Sequence, residues 1–371
     1  MNTNEILRKF EEIASSPKKL FQQYLSEGKK VVLCAPLYTP EEILHSMGIV
    51  PMGVWGADIE VVNAKKYFPA FICNVYQTFV ELGMRKTFDG ASAIIIPLLS
   101  DSLKATGENW KYAVPDIPYI PLAYPQNRKP KFGIDFTYSK YKYVISELER
   151  ITGLTYNPEN LKKSIEIYNE HNQVMRDLKN VLLKHPEITV ANRNHIYKSA
   201  FFINKEEHTK LVKDLINNLK NETVKKRKTK LYASGLLFDG NEFLQIFDDL
   251  NIQIVGDDIG SESRQYRTDT ILTNDPLYSL AEKFGRMDEC SFLYDVNKDR
   301  VNLIIKEVKE TKAEGIIVIL TKFCDSEEFD YVMIKQQCEK HDIPLMLVEV
   351  DRQMVNYEQA KTLIQTFVEN L

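Results

Sequence analysis

The sequence predicts an α/β protein built from two Rossmann-like domains, doubly wound parallel sheets facing a cleft, with a helical insert between them. Three observations carry this. Short continuous apolar runs, such as residues 93–100 and 316–320, read as strands buried on both faces. Helical patterns follow those runs, in the alternation that supplies a parallel sheet with its crossovers. That alternation stops over residues 136–219, where apolar residues recur only at three- and four-residue steps. At 371 residues the chain exceeds one ordinary core, and the boundaries fall at 1–135, 136–226 and 227–371.

Residues 4–26 place Ile6, Leu7, Phe10, Ile13, Leu20, Phe21 and Leu25 at helical spacing, which predicts one or two leading helices. A strand at 30–34 turns through Ala35 and Pro36 into a helix opened by Thr39-Pro40-Glu41-Glu42. Thr39 is expected as its N-cap, with Pro40 first in the helix and the acids in the first turn. Gly48 ends that helix, and 49–54 is the next strand. Residues 63–85 are expected to be helical with Cys73 inside, and 119–122 forms a further strand. In the insert, Asn157-Pro158-Glu159-Asn160 starts a helix after a break. No heptad is sustained there, so a coiled coil is not expected. Strands resume at 230–234, 252–255, 316–320 and 344–349, with helices at about 240–250, 276–286, 297–313, 326–341 and 354–369.

The two α/β portions read as copies of one another. Residues 31–44 can be laid over 231–244, and 96–102 over 320–326. Cys34 then stands opposite Ser234, and Ser100 opposite Cys324. Two strand ends per half present a small hydroxyl or thiol at the sheet edge where open α/β folds place their ligands.

Composition excludes several functions. A formal net charge of −4 offers no basic field for nucleic acid or an anionic membrane. The one dense basic run, residues 225–228, is expected to be a solvated linker. No apolar stretch approaches the roughly 20 residues of a membrane helix. Glu5, Arg8, Lys9, Glu11 and Glu12 interrupt any signal-peptide core, so a cytoplasmic location is expected. Five irregularly spaced cysteines argue for reduced thiols over a disulfide framework. Phosphate-loop and dinucleotide glycine motifs are missing, as are H-E-x-x-H and paired C-x-x-C signatures. The six histidines are expected as surface or half-buried side chains without catalytic roles.

The cysteines divide. Cys338, in the body of an amphipathic helix, is expected as a small core residue. Cys290 falls in a loop and is ambiguous. Cys34 and Cys324 end strands in different halves, and Cys73 follows Phe68-Pro69-Ala70-Phe71. Three soft thiolates converging on one cleft from dispersed positions suit an iron–sulfur cluster better than zinc. One iron would be left to a non-protein ligand.

Taken together, the first strand running into Thr39-Pro40-Glu41-Glu42-Ile43-Leu44, Gly48, Cys73, Ser100-Asp101, Lys322-Phe323-Cys324-Asp325 with Asp330, and the closing run 343–349 resemble the 2-hydroxyacyl-CoA dehydratases, in detail their β subunits. Relatives of that family include the benzoyl-CoA reductase cluster subunits. The likeness spans nearly the whole chain, and its specificity lies in the combination and order of short motifs. It implies an αβ heterodimer in which each subunit holds a [4Fe-4S] cluster on three cysteines. It also implies a separate ATP-hydrolysing iron–sulfur activator that injects one electron. The substrate thioester becomes a ketyl radical anion, expels its 2-hydroxyl, loses the β-hydrogen thereby made acidic, and returns the electron to leave an (E)-2-enoyl-CoA. The acyl-CoA is expected to bind mainly to the α subunit, with the β cluster relaying or storing the electron. Carried over by position, the resemblance supports Cys73 and Cys324 as ligands, but the third position falls on Ser100. Cys34, on the neighbouring strand end, is the expected third thiolate, with Cys290 or the Ser100 oxygen as alternatives. A cluster-free subunit that positions a catalytic partner is the other reading.

Overall fold

The computed structural model describes residues 1–220, 228–354 and 356–371. Except for Lys228, the basic run lies outside these residues. Two helices lead: α1 (Thr3–Ser15) and α2 (Pro17–Ser26). Asn2 and Glu5 cap α1 reciprocally, each side chain taking the other's backbone N–H. The first domain follows as β1 (Val31–Cys34), α3 (Glu41–Ser46), β2 (Val50–Gly53), α4 (Asn74–Met84), β3 (Ala93–Pro97), α5 (Asp101–Ala113) and β4 (Tyr119–Leu122). The helical segment comprises α6 (Lys131–Thr152), α7 (Pro158–Leu182), α8 (Val190–Ser199) and α9 (Lys205–Leu219). Asn157 caps α7 by accepting from the N–H groups of Glu159 and Asn160.

The second domain runs β5 (Thr229–Gly235), α10 (Asn241–Asp249), β6 (Ile252–Ile259), α11 (Pro276–Arg286), α12 (Asp299–Thr311), β7 (Gly315–Thr321), α13 (Asp325–Lys340), β8 (Leu345–Val350) and α14 (Glu358–Glu369). Every strand pairing is parallel, in the orders β2-β1-β3-β4 and β6-β5-β7-β8. The two sheets share one topology. In each, the order reverses between the first and third strands, and that switch point is where open sheets bind ligands. Among the described residues no helix is long and apolar enough to cross a membrane.

Each face of the first sheet has its own core. Val31, Leu33, Ile94 and Ile96 pack with Phe79 of α4 and Trp110 of α5. Val32, Cys34 and Ile95 pack on the opposite face with Ile43 of α3 and Leu148 of α6. Fully burying one such side chain contributes roughly 1.5–3 kcal/mol. The domains are also tied by polar contacts. Arg128, 2 % exposed, donates to the carbonyls of Met287 and Tyr294 and pairs with Asp288 at 2.7 Å. Arg352 bridges Asp58 of the first domain and Asp239 of the second at 2.9 and 3.1 Å.

Two local expectations are corrected. Pro40, not Thr39, is the N-cap of α3 and makes no side-chain cap, while the Thr39 hydroxyl reaches back to the Ala35 carbonyl. Residues 63–85 are not one helix: a single 3₁₀ turn spans Ala64–Lys66, and α4 begins only at Asn74. Pro69 brings no N–H and disfavours helical geometry at Phe68, which breaks the pattern. The intervening loop is held by buried Glu81, whose carboxylate accepts from the N–H groups of Val62, Asn63 and Ala64. Cys73 thereby becomes a helix cap instead of a helix interior.

Candidate functional site

Three helix starts converge at the candidate site, each opened by a residue the sequence singled out. Ser100 caps α5 and accepts from Leu103 N at 3.2 Å. Cys73 caps α4 and Cys324 caps α13, and neither makes a side-chain cap bond. Their sulfurs are left for another partner. The turn that delivers Cys324 places Phe323 at φ +62°, a conformation uncommon for a bulky residue and found most often where function demands it.

The two cysteine thiols meet across the domains. Contact with Cys73, followed by burial, pushes the Cys324 pKa well above the ordinary cysteine value. Both thiols are free and buried, at 1 % and 4 % exposure. Tyr76, one turn into α4, faces both: burial first, then Cys73 and Cys324, raises its pKa, and the nearby Ser100 side chain opposes that rise. Adjacent buried polar groups go unsatisfied. The Asn74 amide and the Thr321 hydroxyl lack hydrogen-bond partners, and both line one small cavity between the domains. Tyr76, Asn74 and Thr321 escaped sequence reasoning. The only signal was their closeness in sequence to Cys73 and Cys324.

Behind Cys324 lies a buried ionic network that the sequence did not announce. The Glu327 N–H donates to the Cys324 carbonyl at 2.9 Å. Its carboxylate is held by Arg264 at 3.0 Å, Arg300 at 2.6 Å and the Ser291 hydroxyl at 2.7 Å. Arg300 also bonds Asp258 at 2.6 Å, Asp330 at 3.0 Å and the Ser234 hydroxyl at 3.1 Å. Burial pushes the Asp258 carboxyl up, but Arg264, Arg300 and Arg267 overcome it and hold the pKa below the carboxylate range. The start of α13 is therefore fixed from behind by paired charges.

Of the remaining cysteines, Cys34 and Cys338 lie in other cores. Successive strand residues point to opposite faces, so Cys34 follows Val32 into the core beneath α3 and α6, away from the core that holds Cys73 and Cys324. Its pKa is raised by burial and by Glu41, with Lys205 opposing. The expected third thiolate is thus not brought to the pair. Cys290 contacts the Tyr38 hydroxyl, accepts from Arg264 at 3.8 Å and belongs to the same core as Cys73 and Cys324. Cys338 is packed among Val301, Ile304 and Ile334. The histidines also depart from expectation, since His171, His185, His195 and His208 are all buried. His171 and His208 hydrogen-bond each other at 2.9 Å, and His208 continues to the Ile196 carbonyl.

Among the described residues no three His, Cys, Asp or Glu side chains are arranged to hold a metal ion. Two soft thiols with Ser100 beside them form a donor set of a different kind. The soft thiols suit a sulfur-bound metal group, whereas the unpartnered Asn74 and Thr321 line a separate small cavity that Cys73, Ser100 and Cys324 do not join.

Residues 36–371 match the family model described as 2-hydroxyglutaryl-CoA dehydratase, D-component. The chain belongs to the 2-hydroxyacyl-CoA dehydratase family. As a member it is a subunit of a hydro-lyase. It is 44% identical to the (R)-phenyllactyl-CoA dehydratase beta subunit of Clostridium sporogenes, with 100% of each chain covered. It is 37% identical to the lactoyl-CoA dehydratase subunit beta of Anaerotignum propionicum, over 99% of this chain and 98% of the relative. Identity to the (R)-2-hydroxyglutaryl-CoA dehydratase subunit beta of Acidaminococcus fermentans is 33%, again over 100% of both chains. Length and detail in the sequence point to the β subunits of 2-hydroxyisocaproyl- and phenyllactyl-CoA dehydratases, and the second is among these relatives.

Proposed function

We propose that this chain is the β subunit of an αβ 2-hydroxyacyl-CoA dehydratase and holds a [4Fe-4S] cluster between its domains on Cys73 and Cys324, with the Ser100 oxygen as third protein donor. The observation that carries the reading is the meeting of two free, buried thiols from different domains at two helix starts. The relatives' names support dehydration of an (R)-2-hydroxyacyl-CoA, and the proposed product is an (E)-2-enoyl-CoA. When bound, the cluster supplies one-electron chemistry, taking up a single electron and returning it.

This chain's residues hold and insulate. The N-termini of α4, α5 and α13 present the positive ends of their dipoles to anionic ligands. The Tyr76 hydroxyl stands beside both sulfurs and can donate to a thiolate. The Glu327 network fixes the Cys324 backbone, and both thiols are buried while Ser100 is half-buried. Exchange of the usual third thiolate for a hydroxyl suits an electron relay. The same proposal leaves the acyl-CoA mainly to the α subunit, where a one-electron-reduced thioester, the ketyl radical anion, expels the 2-hydroxyl. An ATP-hydrolysing iron–sulfur activator delivers the electron.

Iron and sulfide analysis of the anaerobically purified αβ complex, with the subunits separated, tests this. The parent chain should carry about four irons, and Cys73→Ala or Cys324→Ala should lose them while Cys34→Ala keeps them. Full iron in either of the first two variants overturns the assignment. An iron-free parent chain leaves a subunit that only positions its partner.

A further inference from the structure

Large apolar side chains stand in solvent beside the helix start that carries Cys324. Phe71, Phe132, Tyr294, Val296, Phe329 and Val332 are each more than half exposed. The fold ties their segments together. Phe71 lies two residues before Cys73, whose thiol meets Cys324, itself five residues before Phe329. Arg128, four residues before Phe132, holds the Tyr294 carbonyl. Lys298, two residues after Val296, reaches Asp330, the neighbour of Phe329, at 2.9 Å.

The duplicated fold supplies a comparison within the molecule. Laying Ser100 over Cys324 sets Ala105, Glu108 and Asn109 of α5 against Phe329, Val332 and Met333 of α13. In α5 these positions are small or polar: Glu108 pairs with Lys111 at 2.6 Å, and Asn109 donates to the Tyr67 carbonyl. In α13 the three recur at i, i+3 and i+4, which makes one stripe along the helix. All three are exposed. The fold alone does not call for this stripe, since the equivalent helix does without it.

The amount of surface restricts what covers it. Four aromatic side chains of about 150–250 Å² each, all more than half exposed, leave roughly 400–700 Å² of apolar surface in water. The largest patch on an ordinary monomer is about 300–600 Å². One partner's share of a stable interface is about 800 Å², a little more than half of it apolar. The face therefore supplies the apolar part of one such interface. Its charge is acidic at the Cys324 end. Burial first, then Asp325 and Glu349, push the Glu328 pKa up, so three carboxylates gather beside Phe329. A partner with basic residues around an apolar centre complements them.

We propose that this face is the docking surface for the α subunit, with Phe329 and Val296 near its centre and basic side chains of the partner facing Asp325 and Glu328. The proposal rests on the αβ reading above. A permanent partner suits the face better than a transient one, because obligate interfaces are the more apolar. A subunit seated here also lies against the start of α13, and so against the proposed iron site.

Photocrosslinking and dilution of the αβ complex test this. With Phe329 or Tyr294 replaced by p-benzoylphenylalanine, irradiation should join this chain to the α subunit. The same analogue in place of Leu363 should not, because α14 packs on the opposite face of the second sheet from α13. Phe329→Glu and Val296→Glu should each weaken αβ association at least about tenfold, as loss of a central interface side chain does. Leu363→Glu should leave association unchanged. All three side chains are exposed, so urea unfolding of the variants should match the parent. Parent-like association of both Phe329→Glu and Val296→Glu overturns the docking face and leaves the αβ reading standing. Crosslinks from position 329 only to a second copy of this chain, or only to the activator, overturn it too. Absence of any α subunit bound to the parent chain sinks the αβ reading, and this proposal with it.

Discussion

Ser100 and Cys324 occupy equivalent places in the two sheets: each follows the third strand of its domain and each caps the helix behind it. Because both strands border a switch point, the shared topology aims both residues at the cleft. Tyr76 spans the result, with Ser100 and both thiols in its surroundings. Duplication of the fold explains why a serine and a cysteine arrive at one site from residues far apart in the chain.

Replacing Ser100 tests whether its oxygen is a ligand or only a cap. Thiolate is a softer donor than hydroxyl and holds iron–sulfur centres better, so Ser100→Cys should slow loss of iron to a chelator in the anaerobic αβ complex. Ser100→Ala should speed that loss. Alanine also removes the bond to Leu103 N, which costs about 1 kcal/mol. Urea unfolding of the iron-free chain measures that part separately. Identical iron-loss rates in parent and Ser100→Ala would leave the residue as a cap alone.

The same residues show what a sequence can and cannot reveal. Both sheets were legible because apolar runs and their following helices repeat in one order, and the relation of Ser100 to Cys324 followed from it. The direction of Cys34 was not legible. β1 is buried on both faces, so its residues carry no alternation from which to read which face a side chain joins. Adjacent strand ends were correctly expected to be close, yet the pleat sends Cys34 to the wrong side. Arg264 and Arg300 were invisible for another reason. An arginine in a polar stretch reads as solvated, and only the fold brings both onto Asp258 and Glu327.

That network should respond sharply to loss of one member. Arg300→Met strips Asp258, Glu327 and Asp330 of one shared cation in a site whose side chains are 3 % exposed or less. Breaking a buried pair from one side costs roughly 3–5 kcal/mol, because the remaining charges stay buried. Lys111→Met, which removes a solvent-exposed pair with Glu108, should change stability by no more than about 1 kcal/mol. Urea unfolding of the iron-free chain compares the two, and equal effects would show that water screens the network. Since Glu327 bonds the Cys324 backbone, Arg300→Met should also lower iron retention.

Buried histidines should make the fold weaken in mild acid. Burial pushes the His208 pKa down to about 3, and that of His171 well below its usual value. The unfolded chain takes up protons near pH 6.5, whereas the folded chain does not. Below pH 6.5 the unfolded state therefore binds more protons, and stability falls as pH falls. For His208 alone the loss between pH 6.5 and 5.0 is about 2 kcal/mol. Glu262 works in the opposite direction: its folded pKa is raised to about 7, so it favours the folded state as pH falls from there toward its unfolded value. Comparing the parent with His208→Gln cancels Glu262 and isolates the histidine. Urea unfolding at pH 7.5, 6.5, 5.5 and 5.0 should show the parent losing about 2 kcal/mol more than the variant over the acid half of that range. The variant starts lower, because it gives up packing against Phe10, whose ring centre lies 5.5 Å away, and the 2.9 Å bond to His171. Slope, not starting level, is therefore the decisive reading, and parallel curves would mean that His208 takes up its proton without unfolding.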